Sequence, residues 1–220
     1  MDAELRKALL ELDCASLADA DKSLRVVDSA IRPLNPGRKL LGVARTVRCH
    51  EDFLTVIKAL DESRPGEILV VDTQGGKRAV VGELFSLEAA RRGLAGIIVD
   101  GAVRDMHTIR SLDMPVYARA FCPCSGTTRS LTETQCQIEC GGVPVDPGDI
   151  VVGDEDGIVI ATEEELHALV PTAMEIERTE AQVRDRMAAG TGLIDMLNYR
   201  EHAAAVARGE DSKLQFKLNE

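Results

Sequence analysis

The chain has 220 residues, of which 45% are hydrophobic and 29% are charged. This composition is typical of a globular protein, and the length allows one or two domains with a core that needs no disulfide framework. Acidic residues outnumber basic residues 37 to 26, so the net charge of −11 argues against nonspecific binding to nucleic acid or to an anionic membrane.

Hydrophobic periodicity predicts helices that alternate with strands through the first part of the chain. The predicted helices lie at 2–12, 17–20, 51–60, 82–92 and 105–111, with Ser16 as the cap of the second. The predicted strands lie at 40–49, 68–71, 95–99 and 116–121. A further apolar segment covers 79–81, and Asp100-Gly101 is interpreted as a turn.

The second part of the chain changes pattern twice. From 134 to 160, short apolar segments alternate with glycine and proline turns, which predicts strands joined by tight turns. Thr162 and Glu165 form a capping box for a helix that runs to about 189, and Pro171 is expected to kink or split it. Another helix is predicted at 193–206, followed by a charged tail. We therefore expect one domain over 1–220, with a helical extension from about 162 and layered α/β packing.

The first candidate site is the segment Gly82-Glu83-Leu84-Phe85, at the predicted start of a helix. A helix N-terminus offers backbone N–H groups without partners and a partial positive charge, which together hold a carboxylate or phosphate. Glycine at the first position lets a ligand approach the backbone. The alternative is that Gly82 forms a simple turn and that Glu83 is an acid favoured by the helix dipole.

The second candidate is the pair Arg104 and Asp105, which follows a buried strand. Ligands of layered α/β folds gather outside the carboxyl ends of strands. Arg104 is suited to bind a carboxylate through both arms of its guanidinium, and Asp105 to ligate a divalent cation such as Mg²⁺. The alternative is that Asp105 caps the next helix and that Arg104 pairs with a surface acid.

The third candidate is Glu180, which falls within an apolar stripe of the long C-terminal helix. A carboxylate on a buried face is costly unless it is paired, hydrogen-bonded or near a metal. Two alternatives remain open: Glu180 is solvated, or it pairs with Arg184 one turn later.

The cysteines give a weaker signal. Cys122, Cys124, Cys136 and Cys140 are four possible zinc ligands, but their spacing is not that of a zinc knuckle, and Cys140 and Cys49 are expected to be buried. The acidic N-terminus does not resemble a signal peptide, and no segment approaches the length of a membrane span. A cytoplasmic location with reduced thiols is therefore expected.

Taken together, the segments at 82–84, 93–105, 114–119 and 141–157 resemble the RraA-like family. This family contains 4-hydroxy-4-methyl-2-oxoglutarate aldolases, 4-carboxy-4-hydroxy-2-oxoadipate aldolases and regulators of ribonuclease E. The resemblance implies a three-layer β/β/α core like that of the swivelling phosphohistidine domain, with helices at both termini. It also implies a ring-shaped homotrimer or a hexamer built from two trimers.

The resemblance implies roles for the candidate residues. A substrate carboxylate would lie on the backbone amides of residues 82–85, Arg104 would bind the pyruvyl group, and Asp105 would hold Mg²⁺ or Mn²⁺. Glu83 matches the acidic residue of the family motif. Glu180, with Glu177 as a second choice, matches a glutamate that a neighbouring subunit supplies.

The candidate residues and the resemblance together predict a metal-dependent pyruvate aldolase. Oxaloacetate decarboxylase activity is expected as well, because both reactions form the enolate of pyruvate. We expect small oxo-acids to be the binding partners. We do not expect the protein to bind nucleic acid or a membrane. The alternative is a non-catalytic regulator that binds and inhibits ribonuclease E. The chain departs from the family pattern at residues 122–126, where the far part of a substrate is expected to lie, so the substrate is not specified.

Overall fold

The computed structural model describes residues 1–218. They divide into two compact units, and the boundary falls directly after Pro171. The prediction of one domain over the whole chain stays a prediction. The helices of the first unit are α1 (Ala3–Glu11), α2 (Cys14–Ala20), α3 (Leu54–Asp61), α4 (Glu83–Arg91) and α5 (Met106–Arg110). A sixth helix, α6 (Glu163–Ala188), begins in the first unit and ends in the second.

Ten strands form two sheets in the first unit. They are β1 (Arg25–Val26), β2 (Arg32–Pro33), β3 (Leu40–Arg48), β4 (Glu67–Asp72), β5 (Gly96–Val103), β6 (Val116–Phe121), β7 (Ile138–Cys140), β8 (Val143–Val145), β9 (Ile150–Gly153) and β10 (Ile158–Ala161). The large sheet has the order β1-β10-β9-β3-β4-β5-β6-β2, and β7 pairs with β8 in a separate hairpin. The strands β3 to β6 are parallel, whereas β9 and β10 are antiparallel to their neighbours.

The two faces of the large sheet are both buried, which explains why its central strands are continuous apolar runs. In β4, Leu69 and Val71 pack with the helical residues Val56 and Ala89, whereas the alternate residue Val70 belongs to a second cluster. That second cluster contains Ile138, Cys140 and Val145 of the β7–β8 hairpin. The β7–β8 hairpin, the large sheet and the helices therefore form three successive layers. This arrangement confirms the predicted three-layer β/β/α core with terminal helices.

Two predictions of local structure are wrong. Asp100 and Gly101 lie within β5 and not in a turn, because a register shift between Val99 and Ala102 lets the strand continue past them. Gly101 has a packing role there: an added Cβ would lie 2.3 Å from Oγ1 of Thr73. The cap of α2 is Asp13, whose side chain accepts from the Ser16 N–H at 2.7 Å, and not Ser16.

The long helix α6 begins with the predicted capping box. The Thr162 N–H donates to Glu165, and the Glu165 N–H donates to the Thr162 hydroxyl. The helix continues through Pro171 and is not split there. The boundary between the two units falls directly after that proline.

The second unit differs from the helix at 193–206 and the charged tail that the sequence predicts. A 3-10 helix covers Leu193–Met196, and α7 covers Tyr199–Ala207. Part of the predicted tail folds back, because Leu197 bridges to Phe216 and the Lys217 N–H donates to the Met196 carbonyl at 2.7 Å. Across residues 1–218, no helix is both long and apolar enough to cross a membrane.

All six cysteines are free thiols. Cys49 and Cys140 are buried, as predicted, and burial raises the pKa of the Cys49 thiol to about 12. In the part of the chain that the structure describes, the one group of three or more possible metal ligands is Asp2, Glu163 and His167, so Cys122, Cys124 and Cys136 do not form a zinc site with Cys140.

Candidate active site

The start of α4 is one wall of the site. Gly82 is the N-cap residue, and no side chain caps the helix from that position. Because the first amides of an α-helix lack intrahelical acceptors, the N–H groups of Leu84 and Phe85 are available to a ligand. The Glu83 N–H donates to Oδ2 of Asp105 at 3.2 Å. The predicted segment 82–85 therefore does form a helix N-terminus that faces an acid of another element.

Position 82 requires a glycine because of close packing around it, and not because of its backbone angles. Its φ of −151° is extended, which any residue adopts. An added Cβ would instead lie 2.6 Å from Oδ2 of Asp105 and 3.0 Å from Cγ of Arg104. The glycine thus allows the arginine and the aspartate to lie directly against the start of α4.

Asp105 lies just after β5, in the left-handed region with φ 61° and ψ 43°. It is the N-cap residue of α5 by position, but its side chain makes no capping hydrogen bond there. The carboxylate turns to the start of α4 instead. Among residues 1–218, its Oδ1 atom has no hydrogen-bond partner. The capping alternative for Asp105 is therefore not the observed arrangement.

Arg104 is held by its backbone and leaves most of its guanidinium available. Its N–H donates to the Val81 carbonyl at 3.1 Å, and its Nε lies 3.4 Å from Oδ2 of Asp105. The side chain is 42% exposed. Within the described residues 1–218, neither terminal nitrogen has a hydrogen-bond partner. The planar fork is thus free to meet a carboxylate.

Glu83 points away from the helix axis toward α5. Its Oε2 accepts a hydrogen bond from Oγ1 of Thr108 at 2.6 Å. This contact holds the Glu83 carboxylate against α5. Thr108 is not among the site residues that the sequence predicts, and its one signal is its place in the short helix after Asp105.

Gly82, Arg104 and Asp105 border a small cavity of about 150 Å³, which Glu83 and Thr108 do not line. Pockets for drug-sized ligands are roughly 300–1,000 Å³, so this volume suits a small metabolite. The remaining lining is mainly apolar and consists of Phe53, Ala79, Val80, Val81, Leu84, Phe85 and Ser125. The rings of Phe53 and Phe85 meet edge to face, with centroids 5.6 Å apart.

The loop that carries Ser125 is anchored on both sides. Ala79 pairs with it, donating to the Cys124 carbonyl and accepting from the Gly126 N–H, each at 2.9 Å. On the other side, the buried carboxylate of Asp52 accepts from the Arg129 N–H at 2.6 Å and the Thr127 hydroxyl at 2.7 Å.

The pKa of Asp52 reflects this anchoring. Burial alone would raise it, but the hydrogen bonds from Arg129, Thr127, Leu54 and Ser130 together outweigh burial and lower the pKa. The ionised carboxylate is therefore the form that holds the loop.

Glu180 lies in the second unit, on α6. Its side chain is 45% exposed and lies 3.5 Å from Arg184, so the pairing alternative is the observed one. Arg184 also pairs with Glu177 at 2.7 Å. In the apolar stripe, Leu166 and Val183 are buried, whereas Met187 is exposed. The catalytic role of Glu180 stays a prediction.

The chain is thus a three-layer α/β protein with a small cavity at the N-terminus of α4. The profile of the RraA-like family, described as Aldolase/RraA, matches residues 14–160. The chain belongs to this family, and the resemblance noted from the sequence is confirmed.

Related sequences carry two kinds of description. A Halalkalibacterium halodurans protein named "Putative 4-hydroxy-4-methyl-2-oxoglutarate aldolase" is 37% identical over 146 residues, which is 66% of this chain and 70% of that protein. An uncharacterized protein of Methanocaldococcus jannaschii is 38% identical over 175 residues, which is 77% of this chain and 84% of that protein.

Solved structures include members described as inhibitors. The RNA-processing inhibitor RraA from Thermus thermophilis has a TM-score of 0.64 at 30% identity, over 68% of this chain and 92% of that chain. Streptomyces coelicolor RraAS2, described as an unusual member of the RNase ES inhibitor RraA family, has a TM-score of 0.74 at 30% identity, over 84% of this chain and 97% of that chain.

Proposed function

We propose that this protein is a divalent-metal-dependent pyruvate aldolase that also decarboxylates oxaloacetate. The observation that carries the proposal is the meeting of the α4 N-terminus, Arg104 and Asp105 at one small cavity. Relatives named as aldolases support the same reaction class.

The cavity supplies two kinds of donor to the pyruvyl end of a 2-oxo acid. In this proposal, the amides of Leu84 and Phe85 donate to the substrate carboxylate, and the positive end of the helix dipole lies behind them. The fork of Arg104 donates to the carboxylate and the 2-oxo oxygen. Few other groups are needed to orient so small a substrate.

The chemistry follows from that orientation. In the retro-aldol reaction the C3–C4 bond breaks, its electron pair stays on C3 as the enolate of pyruvate, and the 4-hydroxyl proton leaves to a base. In decarboxylation the same bond breaks and the C4 carboxylate leaves as CO₂. The guanidinium of Arg104 stabilises the negative charge that develops on the 2-oxo oxygen in both cases.

The donor set fits a hard divalent cation. Asp105 offers a half-exposed carboxylate with one oxygen without a partner in residues 1–218, and Mg²⁺ commonly takes one or two protein carboxylates and keeps its waters. A Mg²⁺ or Mn²⁺ ion bound by Asp105 would supply Lewis-acid stabilisation of the enolate oxygen.

Proton transfer requires an acid or base near C3 and C4. Glu83 is held in place by Thr108, and we assign it to this role, acting through water. We also propose that Glu180 of a neighbouring copy contributes a second carboxylate, which requires a homotrimer or a hexamer. Light scattering that finds a fully active monomer would contradict the role of Glu180.

A second candidate function is supported by the structures named as RNA-processing inhibitors. A regulator of ribonuclease E would act through its surface and would not need turnover. One assay separates the two: oxaloacetate with Mg²⁺, before and after EDTA. We expect pyruvate formation that EDTA abolishes and added Mg²⁺ restores. Absence of turnover in the folded protein at any metal concentration would favour the regulator.

A further inference from the structure

The cavity at the start of α4 contains one polar side chain that the proposed chemistry does not use. Among the described residues that line the cavity, three side chains carry polar atoms. Two of them, Arg104 and Asp105, are assigned to the pyruvyl end of the substrate and to the metal. The third is Ser125, whose hydroxyl has no hydrogen-bond partner within residues 1–218. A hydroxyl both donates and accepts hydrogen bonds, so this group is free to meet a ligand.

The backbone at Ser125 is fixed by three separate contacts. Ala79 bridges to it through hydrogen bonds with the residues on either side. The guanidinium of Arg78 donates to the Ser125 carbonyl at 3.1 Å. An added Cβ on Gly126 would lie 2.6 Å from the carbonyl oxygen of Glu51, so the next residue is also tightly packed. The hydroxyl is therefore held on a rigid loop, which reduces the entropy that is lost when a ligand binds.

The substrate atoms that remain for Ser125 are those at C4. The α4 amides and Arg104 are assigned to the pyruvyl carbons C1 to C3, and the cavity of about 150 Å³ leaves little room beyond them. Both proposed reactions break the C3–C4 bond, and both substrates carry oxygen on C4. The oxygen belongs to a hydroxyl group in the aldol substrate and to a carboxylate in oxaloacetate. One hydrogen-bond donor at this position therefore serves both substrates.

We infer that Ser125 is a specificity-determining residue whose hydroxyl donates a hydrogen bond to an oxygen atom on C4 of the substrate. The inference rests on the proposed function, and it deepens that function because it states the substrate class as 2-oxo acids with oxygen on C4. The O–H bond of Ser125 stays intact throughout, and the 4-hydroxyl proton of the aldol substrate still leaves to a base.

The same hydrogen bond has different consequences in the two reactions. In the retro-aldol reaction the C4 oxygen gains negative charge as its proton leaves, so a donor there stabilises the transition state more than the bound substrate and raises kcat. In decarboxylation the C4 carboxylate loses its charge as CO₂ forms. The donor then stabilises the bound substrate more than the transition state, so it lowers KM for oxaloacetate without raising kcat.

The kinetic test compares Ser125→Ala with the unmodified chain on both substrates. For 4-hydroxy-4-methyl-2-oxoglutarate we expect kcat to fall at least about 30-fold. For oxaloacetate we expect KM to rise about tenfold and kcat to stay above about half its normal value, because the lost hydrogen bond is to a charged group of the bound substrate.

Two further variants complete the comparison. Ser125→Thr keeps the hydroxyl and should hold the retro-aldol kcat within about fivefold of normal. Thr128→Ala removes an exposed hydroxyl of the same loop and should leave both reactions within about twofold.

A binding test removes turnover from the comparison. Malate and lactate share a 2-hydroxy acid group and are not cleaved here, but only malate carries a carboxylate at C4. Binding of each acid to the full chain is measured by calorimetry with Mg²⁺. Ser125→Ala should raise Kd for malate about tenfold and leave Kd for lactate within about twofold.

The outcomes separate this inference from the proposed function. A Kd for malate that stays within about twofold in Ser125→Ala, or an equal loss of affinity for malate and lactate, overturns the inference. Equal decreases in kcat for the two substrates also overturn it, because they indicate a structural role. If the malate-specific loss is present but the unmodified chain turns over neither substrate, the proposed chemistry fails and the role of Ser125 at the C4 oxygen stands.

Discussion

The replacement Gly82→Ala is the sharpest perturbation of the site that the structure offers. The added Cβ meets Oδ2 of Asp105 at 2.6 Å and Nε of Arg104 at 3.3 Å. Real Cβ atoms do not approach oxygen this closely, so the aspartate must move by about 0.5 Å or more to reach ordinary contact. The backbone itself has no reason to change, because Gly82 is already extended.

Two different magnitudes follow from this clash. Catalytic groups must hold their geometry within about 0.5 Å, and a displacement of about 1 Å costs on the order of 100-fold in rate. We therefore expect turnover of oxaloacetate to fall by about 30- to 100-fold. The stability cost should be about 1 kcal/mol, the low end for overpacking, because the displaced side chains are half-exposed. That corresponds to a decrease in Tm of about 2–4 °C.

Gly157→Ala is the matched control, since an added Cβ there meets nothing within 4 Å. Initial rates and melting curves of both variants and the unmodified chain would be recorded on the same day with the same Mg²⁺ concentration. If Gly82→Ala keeps its rate within about threefold, the close approach of Arg104 and Asp105 to α4 is not needed for chemistry, and the reasoning is wrong.

Three further variants probe the individual groups. Arg104→Lys should lower turnover by about 100-fold with a Tm change within about 2 °C, because lysine keeps the charge but loses the planar fork; near-normal turnover would remove Arg104 from the site. Asp105→Ala should reduce the rate with Mg²⁺ to that of the EDTA-treated enzyme and should abolish Mn²⁺ binding measured by electron paramagnetic resonance; retained Mn²⁺ binding would exclude Asp105 as the ligand. Asp52→Asn should lower the free energy of unfolding at pH 7 by about 1–2 kcal/mol, since charge-assisted hydrogen bonds weaken. Because hydrogen bonding lowers the native pKa of Asp52, this difference should be constant above about pH 4 and should close as the pH falls further; a gap that persists at low pH would contradict the assignment.

Much of the fold follows from the sequence because the central strands are continuous apolar runs. The predicted strand at 68–71 is the core of β4. Gly93 follows α4 in the left-handed region at φ 76°, which is typical of the residue after a helix. The turn prediction for Asp100-Gly101 is wrong because the pair is a turn signal in isolation. The tertiary packing shows instead that Gly101 makes room for Thr73, the residue directly after β4.

The individual residues of the site were predictable from the sequence, but the contacts between them were not. Each of Gly82, Arg104 and Asp105 has a local alternative, and the sequence does not show that Asp105 turns to α4 instead of capping α5. Thr108 and the wall residues Phe53 and Ser125 reach the site through tertiary contacts, which no local pattern encodes.

The central claim is that this cavity forms the enolate of pyruvate. The most direct measurement is the exchange of the pyruvate methyl protons in D₂O with Mg²⁺, followed by proton nuclear magnetic resonance. Exchange needs only the pyruvyl site and no leaving group, so it does not depend on the natural substrate. We expect the methyl signal to disappear with the unmodified chain and to persist with Asp105→Ala or after EDTA. A folded, metal-supplied protein that leaves the methyl signal unchanged would contradict the proposed chemistry.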